Sequence, residues 1–339
     1  MTILIRTEAD PKVGLGHLQR SLSLAAALRR CGIRPYFLVN DRSENLQRLK
    51  EFGLEGEAVQ SDPSETAWTL EKARALGALG IGVDLSDLPA ALLPALQEAG
   101  LWAMVRDDLG GRDFPCSLLV NGNADALALS YGNSNGRTRF LLGPKYGVLQ
   151  TDFWKPQKRQ VRTEVQNILI ILGGADPFGL MPKLIHWIDR LDGTFSITVV
   201  LGPFFEGRAE IEREAARSHR SVRIMRNPPS LAPFFWEADL AISGAGQTLY
   251  ELACTGCPTV AIQVSTNQAG QLRALEKTGV LWAAGHGAQT GLWERLQAKV
   301  PALLQDAGAR RAMAEAGQAL VDGQGAFRVA EVIATQVSS

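Results

Sequence analysis

The sequence predicts an α/β chain of two domains, each a parallel sheet covered by crossover helices. Three observations predict it. The 339 residues suit about two domains of ordinary size. Short apolar runs alternate with helix-period stretches from end to end, the pattern of strand–helix–strand units. A polar stretch, residues 155–166, holds Pro156 and several charges, and the alternation restarts after it. The expected organisation is a domain at 1–154, a linker at 155–166, a second domain at 167–322 and a closing helical segment at 323–339. Two similar units facing each other across a cleft fit this pattern, and domain interfaces are preferred ligand sites.

In the first half, strands are expected near 3–6, 35–39, 81–83, 102–105, 117–120 and 140–142, with helices at 18–29 and 90–99. Several strands end in polar residues: Asp84 and Asp87, Asp107 and Asp108, Asn121 and Asn123. Open α/β sheets bind ligands beyond the carboxyl ends of their strands, so these positions point to a cleft. In the second half, strands are expected at 167–172, 197–201, 222–225, 240–242 and 259–262. Helices are expected at 182–191, 205–218, 247–255, 268–278, 292–304, 309–320 and 326–335.

Apolar residues make up 46% of the chain, enough for two cores. Lys and Arg number 35 against 35 Asp and Glu. This balance argues against a general nucleic-acid binder, which carries a basic excess, and leaves recognition of a small anion open. No apolar stretch approaches the ~20 residues that span a bilayer, and residues 1–10 lack the signal-peptide pattern. Four cysteines in a chain this long form no disulfide framework. A cytoplasmic, monomeric protein with reduced thiols and no stable membrane insertion is expected. Cys254 and Cys257 form a C-x-x-C. No second Cys or His pair stands at zinc spacing, so they are read as small core residues at a helix end before Pro258. No metal and no cofactor are expected. The P-loop pattern is absent, and Gly14, Gly16 and Gln19 break the dinucleotide fingerprint.

Three turns carry the chemistry. Gly14, Leu15, Gly16 and His17 lie between the first strand and the first helix. A glycine-rich turn lets backbone N–H groups and the positive helix end approach a ligand. His17 there is a candidate acid or base; the helix end opposes a charged imidazole, which suits a neutral base. Arg20, one turn on, shares its face and can bind a phosphate or orient an acid. Gly173 and Gly174, continuing through Ala175, Asp176 and Pro177, follow an apolar strand; the turn can cradle a phosphate or simply connect strand to helix. Ser243, Gly244, Ala245, Gly246, Gln247 and Thr248 form the third turn, with anion-site geometry. Glu251, one turn into the following helix, can accept both hydroxyls of a ribose or complement the helix dipole. Asn267 and Gln268 can read sugar hydroxyls or cap the next helix. Asp107 and Asp108 need not act as a dyad, because successive strand side chains point oppositely. Asp108 joins Gly14, Gly16 and Arg20 among the substrate-binding candidates. His186, His219 and His286 have no partner at metal spacing.

The segment from Arg6 to Leu28, with Val13, Gly14, Leu15, Gly16, His17, Leu18, Gln19 and Arg20, resembles the opening of the UDP-2,4-diacetamido-2,4,6-trideoxy-β-L-altropyranose hydrolases of pseudaminic acid biosynthesis. Spore-coat polysaccharide proteins of the same superfamily look similar. The resemblance continues through Asp107, Asp108 and Leu109, through Leu141 to Tyr146, through Gly173 to Pro177, and closes with Ser243 to Glu251, Gly256, Pro258, Asn267 and Gln268. It implies the two-domain glycosyltransferase-B fold, with UDP on the C-terminal domain, Glu251 on the ribose and the Ser243–Gly246 turn near the diphosphate. It implies that the N-terminal domain presents the sugar to His17, that no metal is required, and that the final helix crosses back to the first domain. One departure stands out: the family carries Asp, any residue, then Tyr at the end of a middle strand, and here Asp84, Leu85 and Ser86 put Ser86 in the place of the Tyr. The implied reaction is inverting hydrolysis of the UDP-linked 2,4-diacetamido-2,4,6-trideoxy sugar to UDP and free sugar. An inverting UDP-sugar glycosyltransferase for a surface polysaccharide and a non-catalytic nucleotide-sugar binder are the alternatives.

Overall fold

The structure, a computed structural model, describes residues 1–10, 13–59, 65–174, 176–202, 205 and 207–338. The chain divides into two units, Met1–Thr151 with Gly323–Ser339, and Asp152–Asp322.

Unit 1 holds strands β1 (Thr2–Thr7), β2 (Arg34–Asn40), β3 (Glu55–Val59), β4 (Gly80–Asp84), β5 (Trp102–Arg106), β6 (Leu118–Asn121) and β7 (Arg139–Leu142). Helices α1 (Gly16–Arg30), α2 (Ser43–Glu51), α3 (Glu65–Ala75) and α4 (Leu92–Glu98) connect them. The sheet order is β3-β2-β1-β4-β5-β6-β7. Every pairing is parallel, and the register sets Thr7 beside Asp84. Strands covered on both faces read as continuous apolar runs. Accordingly Leu4, Leu38, Ile81, Val83, Val105 and Leu119 share one buried apolar cluster with Leu92, Leu93 and Leu96 of α4.

Unit 2 repeats the plan. Its strands are β8 (Asn167–Ile171), β9 (Ser196–Leu201), β10 (Val222–Arg226), β11 (Leu240–Gly244), β12 (Thr259–Gln263) and β13 (Trp282–His286). They lie in the order β10-β9-β8-β11-β12-β13, again parallel. Its helices are α5 (Leu180–Ile188), α6 (Arg208–Arg217), α7 (Ala232–Glu237), α8 (Thr248–Cys254), α9 (Ala269–Lys277), α10 (Leu292–Gln305) and α11 (Ala307–Leu320). The carboxyl-terminal helix α12 (Gly325–Val337) belongs to unit 1, where it packs on α1.

Both sheets are doubly wound and reverse strand order once, between β1 and β4 and between β8 and β11. Those are the crevices where such sheets bind ligands. β3 and β13 were not expected from the sequence. Both are edge strands, where half-polar sequences such as Glu55–Val59 are tolerated. Residues 155–166 form no regular element but are fastened to unit 2. Arg159 donates to the carbonyls of Phe235, Thr255 and Ala238, and Arg162 pairs with Asp239 at 2.8 Å. The buried Arg310 donates to the carbonyls of Arg162 and Thr163.

Candidate active site

The turn after β1 is set by Gly14, whose φ of 85° lies in the left-handed region that favours glycine. Its N–H donates to the Asp10 carbonyl at 2.7 Å, and the Val13 N–H to Asp10 Oδ1 at 2.8 Å. α1 then begins at Gly16 without a side-chain cap, with its first-turn N–H groups at the β1/β4 crevice. His17 is the second residue of the helix, and Arg20 follows on the same face.

These two side chains converge on Asp84, the last residue of β4. His17 Nδ1 lies 2.7 Å from Asp84 Oδ1. Arg20 holds Asp84 at both oxygens, Nε to Oδ2 at 2.7 Å and Nη2 to Oδ1 at 2.5 Å. Its Nη1 donates to Asp108 Oδ2 at 2.7 Å. The Ser21 hydroxyl adds a 3.4 Å bond to Asp84 Oδ2. Arg106, ending β5, brings Nε to 3.8 Å of the same oxygen. Asp84 is 2% exposed and His17 16%, so the carboxylate forms the floor and the ring reaches solvent.

The electrostatics follow from this packing. Burial alone would push both carboxyls up, but Arg20 outweighs it and holds Asp84 and Asp108 below the usual carboxylate range. Burial would likewise lower Arg20, and the two carboxylates more than reverse it. For Arg106, burial and the neighbouring Arg20 act together and pull the guanidinium down to about 10. Among the described residues, Arg106 Nε and Nη1 and the Thr7 hydroxyl are buried without hydrogen-bond partners.

Arg20 is thus committed to carboxylates, and a phosphate is not its partner here. Asp108 takes the site-facing role of its pair and also receives Asn123 Nδ2 at 3.4 Å. Asp107 instead closes a turn, accepting from the N–H groups of Leu109 and Gly110 and from the Tyr131 hydroxyl. Ser86 lies exposed just past β4, its N–H donating to Glu8 Oε1 at 2.5 Å. Asp84 was expected at the cleft as a strand-end residue but without a role, and Arg106 and Glu8 were not expected there. The available signal was position: β4 is the neighbour of β1, and Asp84 ends it.

In unit 2, the expected nucleotide-binding residues gather at the β8/β11 crevice. Gly244 passes so close to β8 that a Cβ would sit 2.5 Å from the Leu172 carbonyl oxygen. Ser243 is buried and donates to the Gly244 carbonyl at 3.0 Å. The Ala245 N–H donates to Ile262, and its carbonyl accepts from Gln271. A Cβ on Gly246 would meet only Gln268 Nε2, at an ordinary contact distance of 3.6 Å. Gln247 stands at the amino end of α8 and makes no side-chain cap bond, Thr248 opens the helix, and Glu251 is buried in its first turn. Gly173, at φ 101°, and Gly174 lie against Gly202. Ala175 lies outside the described residues. Asp176 Oδ2 accepts from the Met181 N–H in the first turn of α5. Asn267 is exposed, and α9 starts without a side-chain cap. The capping box sits one turn earlier: Ser265 and Gln268 close the 3-10 turn Thr266–Gln268 that leads into α9, with Gln268 Oε1 accepting from the N–H groups of Val264 and Ser265.

Cys254 and Cys257 are buried free thiols that donate to backbone carbonyls, and burial pushes them up to about 12 and 11. Neither is a thiolate near neutral pH, the form that reacts and binds metal. Among the described residues no three His, Cys, Asp or Glu side chains form a metal-ligand group, and no helix is long and apolar enough to cross a membrane.

No family model matches the sequence. The chain is similar to the spore coat polysaccharide biosynthesis protein SpsG of Bacillus subtilis, 24% identical over 342 residues and covering 98% of each chain. It is also similar to the uncharacterized protein MJ1062 of Methanocaldococcus jannaschii, 26% identical over 275 residues. That match takes in 77% of this chain and 55% of the archaeal protein, so the chain spans about half of that relative. Among solved structures, MurG of Acinetobacter baumannii superposes with a TM-score of 0.75 at 15% identity, over 98% of this chain and 99% of that one. HepE of Anabaena in complex with UDP-glucose gives 0.60 at 14% identity, over 99% and 100%. The fold is therefore two Rossmann-like domains of the glycosyltransferase-B type, and the chain is a distant relative of SpsG.

Proposed function

We propose that the chain is a nucleotide-sugar enzyme of surface-polysaccharide biosynthesis, and specifically an inverting, metal-independent hydrolase of a UDP-linked 2,4-diacetamido-2,4,6-trideoxy sugar in nonulosonic (pseudaminic) acid formation. One observation carries it: His17, the only histidine of unit 1, stands at the ligand-binding crevice of the sheet with a buried carboxylate behind it. The relation to SpsG supports a polysaccharide setting, and the UDP-glucose held by the similarly folded HepE supports a uridine nucleotide.

His17 removes a proton from water, and the water oxygen bonds to the anomeric carbon. The bond from that carbon to the diphosphate oxygen breaks, and UDP leaves with its electron pair. Unit 2 is assigned the nucleotide: N–H groups of the Gly173–Gly174 and Ser243–Gly246 turns meet the diphosphate, and Glu251 the ribose. Preorganised donors of this kind stabilise developing charge without reorganising. Gly14, Gly16, Ser86 and Asp108 remain the substrate-side candidates in unit 1, and Asn267 and Gln268 in unit 2. The general base contributes about 10²–10⁴ in rate.

The test is a phosphorus and proton NMR time course with the UDP-linked sugar, EDTA and no acceptor. UDP and free sugar appearing together support the hydrolase. UDP-sugar binding without release overturns it, and release that requires an added alcohol acceptor assigns a transferase.

A further inference from the structure

We infer that Asp84 is the positioning residue for His17, fixing the ring with Nδ1–H turned inward and Nε2 as the proton acceptor. This rests on His17 being the base proposed above. Two groups approach the same ring nitrogen. Nδ1 is 2.7 Å from Asp84 Oδ1 and 3.2 Å from Arg20 Nη2. If Nδ1 accepted from Arg20, its lone pair would face an ionised oxygen at 2.7 Å, a repulsive contact. Nδ1 therefore carries the hydrogen and donates it to Oδ1, which Arg20 Nη2 also reaches at 2.5 Å. A neutral imidazole has one donor and one acceptor nitrogen, so the acceptor is Nε2. Among the described residues no hydrogen bond engages it.

The same contacts say what Asp84 does not do. Its oxygens receive Arg20 twice, His17 once and Ser21 once, and Arg106 adds a second cation nearby. A carboxylate so surrounded stays ionised. The proton that His17 takes from water stays on the ring, with Asp84 as its counter-ion. Arg20 is itself fixed by Asp108, and Asp108 by Asn123, so the carboxylate cannot swing away from the ring. The charged and polar groups around His17 come from α1 (Arg20, Ser21), β4 (Asp84), and β5 with its following turn (Arg106, Asp108). Around the ring, two guanidinium groups balance two carboxylates.

The experiment combines a spectroscopic and a kinetic readout on the full chain. In protein labelled with ¹⁵N-histidine, long-range proton–nitrogen correlation reports the tautomer of each ring, and H17Q identifies the His17 signals. At the pH of the activity assay, the neutral ring of His17 is expected with Nδ1 protonated and Nε2 bare. The opposite tautomer overturns the proposal whatever the activity, and it does so even if no Asp84 variant folds. Kinetically, D84N is expected to lose about 10²–10⁴-fold in kcat, because an amide no longer dictates the tautomer. KM and UDP affinity are expected to stay within about threefold, the pattern of an interaction made in the transition state. D84E is expected to recover part of the loss. If H17Q is inactive while D84N keeps wild-type turnover, the positioning role fails and the base stands. If H17Q itself retains wild-type turnover, the base assignment fails.

Discussion

Arg20 and Asp84 form a two-point clasp, Nε to Oδ2 at 2.7 Å and Nη2 to Oδ1 at 2.5 Å, with the two side chains 8% and 2% exposed. Such burial makes the pair interdependent. Removing one partner of a buried ion pair leaves an uncompensated charge and costs about 3–5 kcal/mol. R20M strands two carboxylates, Asp84 and Asp108, and is expected to destabilise unit 1 by at least that much. R20K restores a charge but not the planar fork and should recover only part of it. Hydrogen exchange of α1 and β4 amides, followed by mass spectrometry, reads the change locally. Wild-type protection in R20M would refute the clasp.

The same clasp gives unit 1 an acid limit. Asp84 and Asp108 titrate lower in the folded chain than in the unfolded one, where carboxyls lie near ~4. Their contribution to stability is therefore fully present above the unfolded value and is lost as pH falls through the folded values. Urea titrations at fixed pH should show stability falling steadily below about pH 4. D108N should start lower at neutral pH and fall less steeply on acidification. A D108N chain with the wild-type pH slope would show that the Arg20–Asp108 bond carries no linkage.

Much of this architecture is legible in the primary structure, and the exceptions have physical causes. β1 and β8 announce themselves because strands covered on both faces carry apolar runs, Ile3–Ile5 and Ile168–Ile171. Edge strands escape that demand, so Glu55–Val59 and Trp282–His286 carry no such signature. His17 and Arg20 are visible as a helix-start pair because they are close in sequence. Asp84 is 67 residues from His17, and their meeting depends on β4 lying beside β1, a fact of sheet order that periodicity does not encode. Gln268 had two compatible readings, cap and ligand; its Oε1 is engaged by the cap, while its Nε2 lies beside Gly246.

Gly244 marks where β11 meets β8. A Cβ there would stand 2.5 Å from the Leu172 carbonyl oxygen and 2.9 Å from its carbon. Both are backbone atoms of the residue that follows the central strand β8, and they cannot retreat cheaply. G244A is therefore expected to cost about 1–3 kcal/mol, as overpacking does. It should also weaken UDP binding by part of that amount, since the proposed diphosphate turn is displaced. G246A is the control for sterics, because nothing lies closer than 3.6 Å, and its melting temperature should match wild type. Calorimetric unfolding and UDP titration check both variants. A wild-type melting temperature for G244A would mean that the two strands part more easily than their packing implies.

Glu251 offers the sharpest test of the nucleotide assignment. It sits in the first turn of α8, 3% exposed, one helical turn from Thr248. A carboxylate accepts from two hydroxyls at once, which suits the 2′- and 3′-hydroxyls of a ribose. Hydrogen bonds to a charged group contribute about 1.5–3 kcal/mol each, so the wild-type chain is expected to bind UDP about tenfold or more tighter than 2′-deoxy-UDP. E251Q keeps the volume and loses the charge, and should bind the two nucleotides with nearly equal affinity. The comparison separates a ligand contact from a folding role. A purely internal Glu251 would lower affinity for both nucleotides alike and leave their ratio unchanged. Equal binding of UDP and 2′-deoxy-UDP by the wild-type chain would remove Glu251 from the ribose, and any loss in E251Q would then be a matter of α8 packing.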